Sequence, residues 1–143
     1  MSLAPLQPPG AIPTGTPGSA EGPVTADEAR AACRAVLALF DRWRLDASAR
    51  CILLGGISER TLQRWQNGQP GSLNRDAVFR LGCLLGIHKA LRYLFPDPAR
   101  GYDWIRRPNT AFGGLSALDV MLHGDALDLH RVRACLDAER GGW

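Results

Sequence analysis

Residues 47–65 read ASARCILLGGISERTLQRW, and this stretch decides the fold class. Asp46 and Ser58 each precede a short run with helical character, and both are favoured residue types at a helix N-cap. Gly56 lies between the two runs, where a tight turn needs a residue that tolerates a positive φ. The pattern predicts two short helices joined by a glycine-containing turn, which is the arrangement of a helix-turn-helix.

The second helix of this motif has two chemically different faces. At about 3.6 residues per turn, Leu62 and Trp65 face inward together with Ile57, which follows the turn. The opposite face carries side chains of the types that bond base edges and phosphates in DNA. The candidate DNA-contacting residues are Ser58, Arg60, Thr61, Gln63, Arg64 and Asn67. A solvated polar face with no ligand explains the same pattern, so the wheel alone leaves both interpretations open.

The distribution of charge favours the DNA interpretation. The whole chain carries 17 Lys and Arg against 14 Asp and Glu, a formal net charge of +3. Residues 26–100 hold twelve basic and seven acidic side chains, whereas residues 101–143 hold five and six. The basic charge therefore accompanies the helix-turn-helix, as attraction to phosphate requires.

Further helix signals surround the motif. Upstream, Thr25 and Glu28 form a capping box before a helix that should end near Arg44. Downstream, Asn74 caps a longer helix that Pro96 ends. The remaining helices are predicted around Tyr102, after Ser116 and after Asp125. No segment shows the sustained period-two alternation of a strand, so the predicted fold class is all-α.

Residues 1–24 differ in composition from the rest of the chain. They contain six prolines and four glycines, and they almost lack charged and aromatic side chains. Such a segment buries too little apolar surface to offset its ordering entropy, so we expect a disordered tail. The predicted organisation is a tail over residues 1–24, a helix-turn-helix domain over 25–98 and a second helical domain over 99–143.

Composition and motifs argue against several other classes of protein. The four cysteines are isolated in apolar contexts, which favours reduced thiols in a cytosolic protein. With the three histidines they match no zinc-binding spacing, so we expect no metal site and no cofactor. No apolar stretch reaches the roughly 18 residues of a membrane span, and the N-terminus lacks the pattern of a secretory signal. No nucleophile–base pair, phosphate-binding loop or paired-carboxylate motif is present, so no catalytic residue is predicted and we expect no enzymatic activity.

A second informative stretch lies toward the C-terminus. Residues 108–122 read PNTAFGGLSALDVML, and residues 123–143 read HGDALDLHRVRACLDAERGGW. The order Pro-Asn, Phe-x-Gly-x-Ser, Leu-Asp, Met-x-x-Gly, Val-Arg-x-x-Leu and Arg-Gly-Gly-Trp resembles the toxin-binding domain of the Xre/MbcA/ParS antitoxin family. The helix-turn-helix upstream fits the same family, so the resemblance covers nearly all of the chain after the tail.

Two positions depart from the family pattern. Ala117 replaces a proline that usually follows the cap serine, which leaves a helix with a slightly softer start. Cys135 stands where an aromatic residue is common. Neither change affects the terminal Arg-Gly-Gly-Trp.

The resemblance implies a partner and a mechanism. The partner is a RES-domain toxin, which consumes NAD or transfers ADP-ribose from it, and the antitoxin blocks its nucleotide cleft. The residues that the resemblance implicates in toxin binding are Asn109, Phe112, Gly113, Gly114, Leu118, Asp119, Met121, Leu122, Val132, Leu136, Arg140, Gly141, Gly142 and Trp143. At the terminus, two glycines would let the backbone enter a narrow space, and Trp143 would offer a rigid aromatic anchor.

The sequence thus favours an antitoxin that also represses its own operon by binding operator DNA as a homodimer, because palindromic half-sites need two recognition helices. The alternative is a plain helix-turn-helix transcriptional regulator with a C-terminal dimerisation or effector domain. The two hypotheses differ in whether the neighbouring gene encodes a small RES-type protein that is toxic alone.

Overall fold

Seven α-helices and one 3₁₀ turn make up the architecture of residues 24–141, the part of the chain that the computed structural model describes. The helices are α1 Ala26–Arg42, α2 Ala47–Leu53, α3 Glu59–Gln66, α4 Arg75–Leu94, α5 Pro98–Trp104, α6 Ala117–Met121 and α7 Ala126–Glu139, with the 3₁₀ turn at Thr110–Phe112. Over these residues there is no strand, only an isolated bridge between Pro108 and Ser116. The all-α prediction is confirmed. The predicted disorder of residues 1–24 concerns a segment outside the described residues, apart from Val24.

The predicted helix starts are confirmed by their capping hydrogen bonds. Thr25 Oγ1 accepts from the Glu28 amide at 3.1 Å, and a Glu28 carboxylate oxygen accepts from the Thr25 amide at 2.9 Å, which completes the capping box. Side chains accept from backbone amides in the same way at the starts of α2, α3, α4, α6 and α7, at Asp46, Ser58, Asn74, Ser116 and Asp125. These bonds satisfy amides that have no partner within the helix, so each boundary is fixed locally.

The helix-turn-helix is formed by α2 and α3. Gly55 and Gly56 lie in the turn with φ of +100° and +77°, values that a residue with a Cβ rarely adopts. Leu62 and Trp65 of α3 are buried against the bundle, as the wheel predicted. Phe40 of α1 and Trp43, the residue that caps its C-terminus, are fully buried and form the opposite side of this core.

Helix α4 connects the helix-turn-helix with the C-terminal helices. It packs against α1 on one side and against α7 on the other. Helices α4 and α7 run in the same direction, because the rings of Phe79 and His130 are 6.2 Å apart near their starts and Arg140 lies over Tyr93 near their ends. One hydrophobic core is therefore shared by the two predicted domains, with members such as Leu84 and Leu136 on either side.

No helix in the described part of the chain is both long enough and apolar enough to cross a membrane.

Candidate functional site

The first candidate surface is the outward face of α3. Five of the six predicted DNA-contacting residues are exposed, and Thr61 is half-buried. The exposed ones are Ser58, Arg60, Gln63, Arg64 and Asn67. The face therefore presents two guanidinium groups and two amides on a helix that the bundle holds firmly by its two buried residues.

Two of these residues also have a structural role. The Thr61 amide donates to Ser58 Oγ at 3.0 Å, and Ser58 Oγ lies 3.1 Å from Thr61 Oγ1. The pair caps the N-terminus of α3, so Ser58 and Thr61 set the direction of the helix. Arg60 and Arg64 are free of such local bonds, since neither has a salt-bridge partner in the described residues.

A basic groove of about 500 Å³ flanks the C-terminal end of α3. It is bordered by Arg30 and Arg34 of α1 and by Asn67. Arg30 pairs with Asp27, whereas Arg34 has no salt-bridge partner within residues 24–141. Sequence reasoning missed this groove, because arginines on the exposed face of α1 carry no signal of what lies beside them.

The second candidate surface belongs to the C-terminal helices, and its predicted residues fall into two groups. Five of those in the described range are buried: Phe112, Leu118, Met121, Val132 and Leu136. The exposed or half-buried ones are Asn109, Gly113, Gly114, Asp119, Leu122, Arg140 and Gly141. The buried group holds the fold together, and only the second group is accessible to a partner on the surface of this chain.

The loop between α5 and α6 is organised by Asn109. Its side-chain oxygen accepts from the Ala111 amide at 2.9 Å, and its carbonyl accepts from the amides of Phe112 and Gly114, each at 3.0 Å. The ring of Phe112 then packs edge-on against Trp104 at 6.4 Å. Gly113 and Gly114 have φ of +65° and +91°, which explains why the sequence has glycines in this turn.

Asp119 is placed by the cap of α6 rather than by a partner. Ser116 Oγ accepts from the Asp119 amide at 3.0 Å, and an Asp119 carboxylate oxygen accepts from the Ser116 amide at 3.2 Å. This capping box starts α6 at Ala117 without a proline in the first turn. The carboxylate stays exposed at the same time.

The end of α7 is the third feature of this surface. The Arg140 guanidinium lies 5.4 Å from the centre of the Tyr93 ring, and Tyr93 is 68% exposed. Gly141 follows with φ of +106°, so the backbone turns away from the helix axis here. Gly142 and Trp143, both predicted to contact toxin, lie outside the described residues.

A cleft of about 450 Å³ opens beside this end of α7. It is lined by Leu94, Phe95, Trp104, Asn109, Ala111, Cys135, Leu136 and Glu139. Cys135 therefore borders an opening rather than the closed core. Leu94 and Phe95 were not predictable as lining residues, because the residues that form the cleft are far apart in the chain.

Burial governs the ionisable groups inside the bundle. It raises the pKa of the Cys33 thiol to about 11, and it also raises the pKa of Cys83. Burial, together with the positive charges of Arg92 and Arg42, lowers the pKa of His88. The thiols are free in the described structure, and no three His, Cys, Asp or Glu side chains of residues 24–141 are placed to hold a metal ion.

Comparison with known proteins identifies the domains to which the two parts of the chain belong. Residues 22–82 match the antitoxin Xre-like helix-turn-helix domain, and residues 90–142 match the antitoxin Xre/MbcA/ParS C-terminal toxin-binding domain. A protein of Sinorhizobium fredii (strain NBRC 101917 / NGR234), described only as uncharacterized protein y4oB, is 48% identical over 120 residues. That alignment covers 82% of this chain and 92% of the relative. No solved structure shows significant similarity to the chain.

A helix-turn-helix joined to a toxin-binding domain defines the antitoxin component of a toxin–antitoxin system. The chain belongs to the Xre/MbcA/ParS family of antitoxins.

Proposed function

We propose that this antitoxin neutralises a RES-domain, NAD-consuming toxin by blocking its active site with the C-terminal end of the chain. The observation that carries the proposal is the match of residues 90–142 to the toxin-binding domain. The geometry is compatible with it, because Gly141 turns the backbone away from α7 at the point where Gly142 and Trp143 follow. An aromatic anchor such as Trp143 suits a narrow cleft built for a nucleotide.

Contact over a wider area would come from the accessible part of the C-terminal surface. Gly113, Gly114 and Asp119 are exposed near the loop that Asn109 organises, and Leu122 is half-buried. The buried predicted residues, such as Met121 and Val132, would contribute by holding this surface in shape. The loop between α5 and α6 and the end of α7 would therefore recognise the toxin, and the core beneath them would support this surface.

Co-expression with the product of the adjacent gene tests this proposal. If that gene encodes a RES-domain protein, we expect the two proteins to co-purify and the antitoxin to restore NAD levels in cells that express the toxin. An unrelated RES-domain toxin serves as the control for specificity. A chain that neither binds the neighbouring protein nor protects NAD would contradict the proposal and would favour a plain transcriptional regulator.

We also propose that the antitoxin represses its own operon through α3. The supporting observation is that Arg60 and Arg64 are exposed on the outer face of a helix-turn-helix and have no salt-bridge partner within residues 24–141. Arg34, beside the C-terminal end of α3, would add a phosphate contact. A homodimer in the cytoplasm would present two such helices to a palindromic operator.

Replacing both Arg60 and Arg64 with alanine tests the DNA assignment. We expect weaker binding to the promoter region of its own operon and a salt dependence lower by roughly two units of slope, if both contact phosphate. Arg92→Ala with Arg100→Ala is the matched control, because it removes the same charge from exposed arginines outside the helix-turn-helix that also have no salt-bridge partner in residues 24–141. Equal operator affinity of the Arg60/Arg64 variant and the wild type would show that α3 does not bind DNA.

A further inference from the structure

The cleft beside the end of α7 leaves part of the hydrophobic core without cover. Four of its apolar lining residues pack against the core and yet are only half-buried: Leu94, Phe95, Trp104 and Cys135. Covering such side chains with another apolar group removes their surface from water, which is favourable. The opening measures about 450 Å³. The cleft therefore has the composition of a binding site for a large apolar side chain.

The lining of the cleft favours an aromatic side chain with one polar atom. The ring of Trp104 borders the cleft and already packs edge-on against Phe112 at 6.4 Å, so a further ring would extend an aromatic cluster. Among the lining residues, Asn109 and Glu139 carry oxygen acceptors, and Glu139 has no salt-bridge partner within residues 24–141. A tryptophan uses both features, because it buries a large ring while its indole N–H needs an acceptor.

A tryptophan of the same chain follows within reach of the cleft. Cys135, Leu136 and Glu139 all line the cleft, so the end of α7 forms one of its walls. Trp143 is two residues beyond Gly141. At no more than about 3.6 Å per residue, the Trp143 Cα lies within roughly 7 Å of the Gly141 Cα. The indole is therefore tethered beside the opening.

The turn after α7 has a geometry that often accompanies a contact with the helix itself. The Gly141 amide donates to the Ala138 carbonyl at 3.2 Å, and Gly141 has φ of +106°. These are features of a Schellman-type helix end, where an apolar residue after the glycine frequently contacts the last turns of the helix. Gly142 has no side chain, so Trp143 is the first residue that can make this contact.

We propose that the cleft binds the side chain of Trp143 of the same chain while no toxin is bound, and that a toxin competes with the cleft for this residue. The second half rests on the proposed function, because it needs a toxin that binds Trp143. Docking would weaken the apparent affinity for toxin by the fraction of chains in which Trp143 is free. The free antitoxin would also keep a large apolar side chain out of solvent.

Chemical labelling of Cys135 reports on the cleft without any toxin. Cys135 is half-buried beside the opening, whereas Cys33, Cys51 and Cys83 are buried. A docked indole would cover the Cys135 thiol, so its rate of reaction with a maleimide would follow the fraction of chains with an open cleft. For Trp143→Ala in the full-length chain, we expect this rate to be at least about fivefold that of the wild type, which corresponds to an open cleft in no more than about a fifth of wild-type chains. Peptide mass spectrometry assigns the label to Cys135.

Two further variants serve as controls for the labelling. Trp143→Phe keeps an aromatic ring, so its Cys135 should react at a rate closer to the wild type than to Trp143→Ala. Tyr93→Ala removes a ring that is 68% exposed near the same end of α7 but does not line the cleft, and it should leave the rate unchanged. Equal rates in the wild type and Trp143→Ala, or an equal rise in Tyr93→Ala, would overturn the docking.

A variant that fills the cleft tests the competition with toxin. In Cys135→Phe the new ring would occupy the opening and release Trp143, so we expect the dissociation constant for the toxin to fall by about the same fivefold factor. Cys135→Leu fills less of the opening and should have a smaller effect in the same direction. Cys135→Ser is the matched control, because it keeps a small side chain and should bind toxin as the wild type does. Unchanged affinity in both Cys135→Phe and Cys135→Leu would overturn the competition.

Failure of the docking and failure of the proposed function give different results. A wild type that binds no toxin would contradict the proposed function and would leave the docking, which is measured without toxin, standing. A cleft that is open in the wild type, with inhibition of the toxin intact, would contradict the docking alone. The cleft would then be available to an aromatic side chain of the toxin.

Discussion

Helices α3 and α7 differ in how their predicted functional residues relate to the core. Five of the six residues predicted around α3 are exposed, and the helix is held by Leu62 and Trp65 alone. In α7, the predicted residues Val132 and Leu136 are fully buried between α7 and its neighbours. A helical wheel predicts Arg60, Gln63, Arg64 and Asn67 of the first set, whereas the second set follows from similarity to a family pattern.

This difference arises because a helical wheel and a family pattern select residues by different properties. A wheel separates inside from outside, so the residues that it selects on the polar face are surface residues by construction. A family pattern records every position whose chemistry is restricted, and most restricted positions in a small helical domain maintain packing. The C-terminal pattern therefore identifies the domain, and burial has to decide which of its residues can meet a partner.

The largest expected change in stability comes from a substitution in the buried face of α7. Replacing Leu136 with alanine removes a fully buried side chain from the core shared by α4 and α7. We expect a loss of about 2–5 kcal/mol in the free energy of unfolding, because the surroundings cannot close the cavity completely. Chemical denaturation followed by circular dichroism measures it.

Leu127→Ala is the control on the same helix, since Leu127 is 68% exposed. It should change the stability by no more than about 0.5 kcal/mol. Similar losses in the two variants would mean that α7 is not packed as described, and the contrast with α3 would disappear.

The same substitution at two helix caps is expected to cause smaller losses in the free energy of unfolding, and it compares an exposed cap with a buried one. Ser58 caps α3 in an exposed position, whereas Ser116 caps α6 with 5% of its surface exposed and belongs to a capping box. Replacing a cap serine with alanine costs about 0.5–2 kcal/mol. We expect Ser116→Ala near the upper end and Ser58→Ala near the lower end, measured as shifts of the denaturant midpoint. A larger loss at Ser58 would contradict the ranking by burial.

The smallest effect concerns the pH dependence of stability. Burial, Arg92 and Arg42 lower the pKa of His88 in the folded chain, so the unfolded chain binds a proton at this site first as the pH falls. Stability should therefore decrease below about pH 6.5, the ordinary pKa of histidine, and continue to decrease down to the folded pKa. We expect the melting temperature of His88→Gln to fall less than that of the wild type between pH 7 and pH 5, because the variant lacks this titrating group. His130→Gln, on the surface of α7, is the control, and equal slopes in His88→Gln and the wild type would rule out the assignment.

The helix starts and the helix-turn-helix were predictable from the sequence because their determinants are local. Ser58, Gly56 and Leu62 act within one or two turns of the chain, so spacing alone specifies them. A hydrogen bond from Arg80 to the Gly124 carbonyl spans 44 positions, and the groove beside Arg34 joins α1 to α3. Such features depend on how helices pack, and no periodicity in a single sequence records that.

The C-terminal cleft was not predictable either, because it also depends on how the helices pack. Asn109 and Phe112 were identified by family pattern, but their roles as the organiser of a loop and as a buried ring follow only from the contacts of that loop. Trp104 and Cys135 meet at the cleft from opposite ends of the C-terminal part. The sequence pattern identified the family, but it could not rank the residues of the C-terminal part by accessibility.

We propose above that the antitoxin inhibits its toxin through residues 141–143, while the rest of the C-terminal helices supply support and contact. The most direct measurement is NAD consumption by the RES-domain toxin in the presence of an equimolar chain lacking residues 141–143. An aromatic anchor at the centre of an interface typically contributes ~2–4 kcal/mol, so we expect the toxin to regain activity although the truncated chain still folds and binds operator DNA. The Arg60→Ala/Arg64→Ala variant, with an intact terminus, should inhibit fully in the same assay. Inhibition by the truncated chain equal to that of the full-length chain would contradict the claim and would place inhibition in the body of the domain.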